Sequence, residues 1–154
     1  MGGAVIVMRR VETGEHHVGE VPLELFKGNA FKNKQYLERA VGIVLDGVAA
    51  LKVKKVEPIY VCSGYILSRA RDELKKMGFK VSQRRIEGAT QELAEREYIR
   101  SLVRLGVGDE EIVAGMRSFN SFLGWVRDDL ERRERFVKTG WSAWPRLRRE
   151  VGPR

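Results

Sequence analysis

One stretch, Val56 to Ile86, limits what this chain can fold into more than any other. It reads VEPIYVCSGYILSRARDELKKMGFKVSQRRI. Ile59-Tyr60-Val61-Cys62 is apolar and β-forming, and it ends at Ser63-Gly64. Helical spacing follows, with Ile66, Ala70 and Leu74 on one stripe and Leu67 beside it. Gly78 stops that pattern, and a second extended run begins at Phe79 and reaches Ile86. The reading is strand–helix–strand. Such units carry parallel strands and a right-handed crossover in nearly all cases. Ligands of open α/β sheets sit beyond the carboxyl ends of the strands, which here means Cys62 to Ser68.

The chain before this unit opens with a strand over Ala4 to Val11 and a turn at Thr13-Gly14-Glu15. A second extended run covers Val18 to Phe26, with Pro22 inside it. Proline donates nothing to a ladder, so Pro22 marks an edge, a bulge or a break into two short strands. The opening is an antiparallel hairpin or a three-strand meander, closed by Gly28-Asn29. Asn33 to Lys52 is the clearest helix, with Leu37, Ala40, Val41, Val44, Val48 and Leu51 at helical spacing. Gly42 and Gly47 weaken it by about 1 kcal/mol each relative to Ala, which suits the close approach of a strand. Lys52, Lys54 and Lys55 complement the dipole at its end. Beyond the central unit, a helix runs from Thr90 to Leu105, and Gly106 and Gly108 end it. Asp109 caps a further helix carrying Ile112, Val113, Met116, Phe119, Phe122, Leu123, Val126 and Leu130, expected to reach about Phe136. Thr139-Gly140 breaks it, and a tail from Trp141 to Arg154 follows.

The expected fold is therefore α/β. An N-terminal hairpin or meander is followed by α-β-α-β-α with one mixed sheet, then a helical extension. At 154 residues it is expected to be a single domain, with a core over about 3–106 and the extension over about 109–154. This element order resembles that of the ribonuclease-H-like fold over roughly residues 3–105. Nucleases of that family hold divalent metal through carboxylates, one of them in the middle of the first strand. Here the first strand is AVIVMRRV, and Cys62-Ser63-Gly64 also lacks an acid. Glu38 is the one positional match. The resemblance thus implies the fold without two-metal cleavage, which needs several converging carboxylates.

Charge adds a second constraint. The net charge is +8, and residues 65–105 and 127–154 each contribute +4 of it. Such an excess favours polyanionic partners. No apolar run approaches the ~20 residues of a membrane span, and the arginines near the N-terminus follow the apolar run, the reverse of a secretory signal. A cytoplasmic protein is expected. The single cysteine, Cys62, excludes an internal disulfide and a cysteine-based zinc cluster. Three Asn and three Gln amid many Arg, Lys and Glu resemble the composition of proteins from heat-adapted organisms.

Two places carry candidate chemistry. The first is Ser63, Gly64, Ser68, Arg69, Arg84, Arg85 and Gln91, where the first strand of the unit turns into its helix and the second strand ends. A Ser-Gly turn into a helix N-terminus offers unpaired N–H groups to an anion. Strand alternation sends Arg84 and Arg85 to opposite faces, so one of them reaches that turn. The alternatives are that Ser63 only caps the helix, that Cys62 fills the core, and that the arginines pair with Glu92 and Glu95. The segment CSGYILSR resembles a cysteine-phosphatase loop, but six residues separate Cys62 from Arg69 where that loop has five. One extra residue turns an arginine about 100° around a helix. The second place combines Arg132, Arg133, Arg135, Lys138, Arg146, Arg148 and Arg149 with Phe136, Trp141 and Trp144. Aromatics among cations suit stacked bases of single-stranded nucleic acid, a stapled tail with Arg over Trp, or a dimer contact. His16-His17 lies in or near the hairpin turn, and neighbouring strand residues point to opposite faces, so the pair chelates poorly. No metal site, no cofactor and no catalytic motif is expected.

The functional expectation is binding of RNA or single-stranded DNA through the basic surface and the Trp/Arg segment. Two alternatives stay open. One is an enzyme acting on a phosphate-containing substrate at the Cys62–Ser68 turn. The other is a structural protein that dimerises through residues 112–144.

Overall fold

The computed structural model describes residues 1–151; the last three residues of the expected extension lie outside them. Strand β1 (Ala4–Arg9) pairs antiparallel with β2 (His16–Val21), in a register that sets Ile6 opposite Gly19 and Met8 opposite His17. The hairpin ends there. Leu23–Phe26, expected as more strand, is a turn of 3-10 helix. Pro22, at φ −65°, has no N–H for the ladder, and its carbonyl accepts from Leu25 N–H. A short helix α1 (Gly28–Lys32), not foreseen in the sequence, leads into α2 (Gln35–Ala50). Then come β3 (Pro58–Val61), α3 (Ser68–Lys76) and β4 (Lys80–Gln83), with β3 and β4 parallel, Tyr60 opposite Ser82. Helix α4 (Ala89–Leu105) is followed by α5 (Glu110–Gly115), α6 (Phe119–Asp128), α7 (Leu130–Arg133) and α8 (Trp144–Val151).

The architecture is mixed α/β, but the one mixed sheet expected from the sequence is not formed among the described residues. The four strands pair as two separate two-stranded sheets, β1–β2 and β3–β4. The single helix expected from Asp109 to about Phe136 is likewise divided. Each piece starts on its own side-chain cap: Asp109 accepts from Ile112 N–H (2.9 Å), Ser118 from Ser121 N–H (3.1 Å) and Asp129 from Arg132 N–H (3.3 Å). Such caps compete with helix continuation, because they satisfy N–H groups that an unbroken helix would bond internally.

Helix α2 organises the larger core. Its Leu37, Ala40, Ile43, Val44 and Val48 are buried with Ile6 and Val21 of the hairpin, and with Ile59, Ala70, Leu74 and Phe79 of the strand–helix–strand unit. A second cluster joins Leu102, Val107, Val113 and Phe136. The hairpin lies between α2 and α4. Arg104 of α4 reaches Glu20 (3.2 Å), on the face of β2 opposite to Gly19. No helix among the described residues is long and apolar enough to cross a membrane.

The hairpin approaches α2 through two missing side chains. A Cβ at Gly19 would stand 2.4 Å from Ile43 Cγ2, and one at Gly47 would stand 3.2 Å from His17 Cδ2 and 3.3 Å from Met8 Sδ. Gly47 thus serves the close approach read from the sequence. A Cβ at Gly42 meets nothing within 4 Å. Urea unfolding should separate these sites. Gly19→Ala is expected to destabilise by about 1–3 kcal/mol through overpacking. Gly42→Ala is expected to stabilise by roughly 0.5–1 kcal/mol through helix propensity.

Candidate nucleic-acid interface

The parallel pair has two unlike faces. Ile59 is buried, and Val61 and Val81 pack with it on the core around α2. The alternate residues Pro58, Tyr60, Lys80 and Ser82 are exposed. Tyr60 keeps 41% of its surface in solvent. Arg84 continues this outer face: its N–H extends the ladder by bonding Val61 O (2.9 Å), and its guanidinium lies 3.8 Å from the centre of the Tyr60 ring. Sheet alternation explains the placement, since Arg84 is two residues beyond Ser82, the partner of Tyr60.

Where the two strands end, an open cleft of about 850 Å³ forms. Cys62, Ser63, Gln83, Arg84, Arg85, Gly88 and Gln91 line it, together with Glu87 and Glu95. The structure thus brings Ser63, Arg84, Arg85 and Gln91 together at the carboxyl end of the strands. Arg85 pairs with Glu87 (2.9 Å) and Gln91 Nε2 donates to Glu95 (2.9 Å), so the cleft carries its own acids. These pairs are exposed, and each is worth under about 1 kcal/mol.

The other three expected anion ligands stand apart from the cleft. A turn of 3-10 helix, Tyr65–Leu67, separates the strand end from α3, so Ser63 does not cap that helix and Gly64 lies off the cleft lining. Ser68 and Arg69 are carried onto the first turn of α3, and Arg69 pairs with Glu38 of α2. Arg71 closes the turn instead. Its Nη1 donates to Cys62 O (2.7 Å) and Gly64 O (3.1 Å). Sequence reasoning did not single out Tyr60 or Lys80. The alternation of Tyr60 with buried Ile59 is readable in the sequence, but it gives no sign of which sheet face stays uncovered.

The C-terminal cations and aromatics largely satisfy one another. Trp144 is 6% exposed, and its indole N–H donates to Glu134 (2.9 Å), which also accepts from Arg148 Nε (2.7 Å). Burial acts to raise the Glu134 carboxyl, but the bonds from Arg148 and Trp144 outweigh it and hold the group below the usual carboxylate range. Arg133 stacks on Trp125 at 4.4 Å and donates to its carbonyl, and Arg135 lies 4.6 Å from the Phe136 ring centre. Arg132 faces Asp129 (3.9 Å) and Arg146 faces Glu150 (3.8 Å). Trp141 is half exposed, edge-on to Phe119 at 6.2 Å, and Arg149 is exposed. Of the expected Trp/Arg surface, Trp141, Arg149, Arg132 and Arg146 are exposed, the last two beside acids, while Trp144 serves as a staple.

Lys138 is the outlier. Its ammonium lies 4.8 Å from the Phe26 ring centre and makes one long bond, 3.5 Å, to Met1 O. Burial pushes its pKa down to about 8, from an ordinary 10.5. Tyr98, which donates to the same carbonyl (2.8 Å), is pushed by burial the other way, up to about 12 from 10.0. Between about pH 8 and 10 the unfolded chain holds the Lys138 proton that the folded chain has lost. Stability should therefore rise with pH through that window. Above it, the unfolded phenol ionises first and stability should fall. Chemical denaturation across pH 8–10.5 checks this; below pH 8 the Met1 α-amine, lowered from 8.0 to about 5 by burial and by Lys138, adds a rise of its own. Lys138→Met should remove the rise and be more stable at pH 7 by about 1–2 kcal/mol.

Comparison of the chain with protein-family models, with curated proteins and with solved structures finds no match.

Proposed function

We propose that this protein binds single-stranded nucleic acid, RNA or single-stranded DNA, across the outer face of β3 and β4 and into the cleft at their carboxyl ends. The observation that carries the reading is the exposed Tyr60 ring with the Arg84 guanidinium laid on it, between Lys80 and the cleft that holds Arg85 and Gln91. An aromatic platform with cations on either side offers a base something to stack on and its neighbouring phosphates something to pair with. The net charge of +8 favours the encounter. Trp141 and Arg149 extend the same reading to the C-terminal segment, which contributes less because most of its cations are already engaged. The ribonuclease-H-like resemblance belongs to this proposal, as nucleic-acid handling without metal-dependent cleavage. A phosphate-directed enzyme at the Cys62–Ser68 turn has less support, since Arg69 pairs with Glu38 and Arg71 covers the turn carbonyls.

Anisotropy titrations of a fluorescent single-stranded oligonucleotide test it. Log affinity should fall with log salt at a slope of about 0.7 per phosphate contacted. Tyr60→Ala should lose about 1–3 kcal/mol of binding. Trp141→Ala should cost less than Tyr60→Ala. Binding that is absent at low ionic strength, or indifferent to salt, overturns the reading.

A further inference from the structure

A second cavity, of about 350 Å³, lies among α1, α6, α8 and the segment before α8. Its size falls in the range of small-molecule sites. Its walls are apolar and half of them aromatic, including Phe31, Phe119, Phe122, Trp141 and Trp144, and Lys138 is the one charged side chain in the lining.

That lysine is poorly served by the protein. An ammonium has three N–H donors. Among the described residues the only acceptor within reach of Nζ is Met1 O, at 3.5 Å, beyond the usual range for such bonds. The Phe26 ring supplies one further contact, and no carboxylate of the described residues stands within ion-pair distance. Arg132, Arg135, Arg146 and Arg148 are exposed, and Arg133 is half-buried against Trp125. Lys138 alone faces an apolar cavity, where its charge is costly and a negative partner is favoured. The depressed pKa follows from that desolvation. At neutral pH the group remains cationic.

We propose that this cavity binds a small amphipathic carboxylate, with its hydrocarbon or aryl body among Phe119, Phe122, Leu123 and Trp144 and its carboxylate on the Lys138 ammonium. An uncharged apolar molecule would leave the ammonium unpaired in an apolar wall, and a cation would be repelled by it. The charge therefore selects the class. The site shares no residue with the Tyr60 face or its cleft, and Trp141 is its one overlap with the nucleic-acid reading, so the Lys138 and Leu123 variants test it apart from that reading.

Decanoate and decanol test the proposal, with the intrinsic fluorescence of Trp141 and Trp144 in the cavity wall as the readout. The intact chain should bind decanoate about tenfold or more tightly than decanol. Lys138→Met keeps an apolar stem of similar length. It should lose that preference, with decanoate weakened about tenfold and decanol changed less than twofold. Leu123→Trp fills the cavity and should abolish both, while a cooperative thermal melt shows that the fold persists. This arm tests the cavity independently of Lys138→Met. Equal affinity for decanoate and decanol in the intact chain overturns the proposal, as does decanoate binding retained in Leu123→Trp. It is also overturned if sedimentation shows a second copy of the chain closing the cavity mouth and decanoate gives no signal.

Discussion

The hairpin can lie directly on α2 because Gly19 and Gly47 have no side chains, and most of the fold follows from that contact. With the two backbones this close, Ile43 fills the space that a Gly19 side chain would need, and Met8 and His17 rest on the helix at Gly47. Helix α2 is then fixed on one side by the hairpin. Its remaining apolar residues are left to bury Ile59, Ala70, Leu74 and Phe79. Interiors are packed like crystals, so an error of a methyl group at this contact propagates to both sheets.

The second organising fact is an asymmetry of cover. Helix α4 lies against the hairpin, on the side away from α2. Among the described residues nothing equivalent lies over the outer face of β3 and β4, where Tyr60, Lys80, Ser82 and Arg84 meet solvent. Parallel strands are usually buried on both faces. A two-stranded parallel pair with one polar, aromatic face in water departs from that rule. The Arg84–Tyr60 stack is both a stabiliser of this exposed face and its most distinctive chemical feature.

Much of this could be read from the sequence, and the failures have physical causes. Periodicity located α2, α3 and α4, and the Ile59–Cys62 and Phe79–Ile86 runs correctly gave parallel strands. Pairing between the hairpin and the parallel unit could not be read, because a sheet edge leaves no periodic trace in either partner. The Asp109–Phe136 stretch kept its apolar spacing through two breaks, at Ser118 and Asp129, where side-chain caps overrode the pattern. The cluster of Ser63, Arg84, Arg85 and Gln91 emerged from strand polarity alone. Arg69 was misplaced because the 3-10 turn at Tyr65–Leu67 shifts the start of α3 and rotates its arginines. Lys138 was read as one cation among many. Only burial distinguishes it, and burial of a lone lysine leaves no signal in a basic tail.

The first three residues join regions that are otherwise distinct. Gly2 N–H donates to Phe136 O (2.8 Å) and Met1 packs with the second apolar cluster, while Ala4 and Ile6 belong to the first. The chain therefore enters the hairpin only after threading the smaller core. Proteins open in cooperative units of unequal stability. Here, opening of the smaller unit must loosen the leading end of β1, so amide protons at that end report on a region far along the sequence. The slowest-exchanging amides should then lie in α2, which borders the hairpin and the parallel unit without depending on that thread.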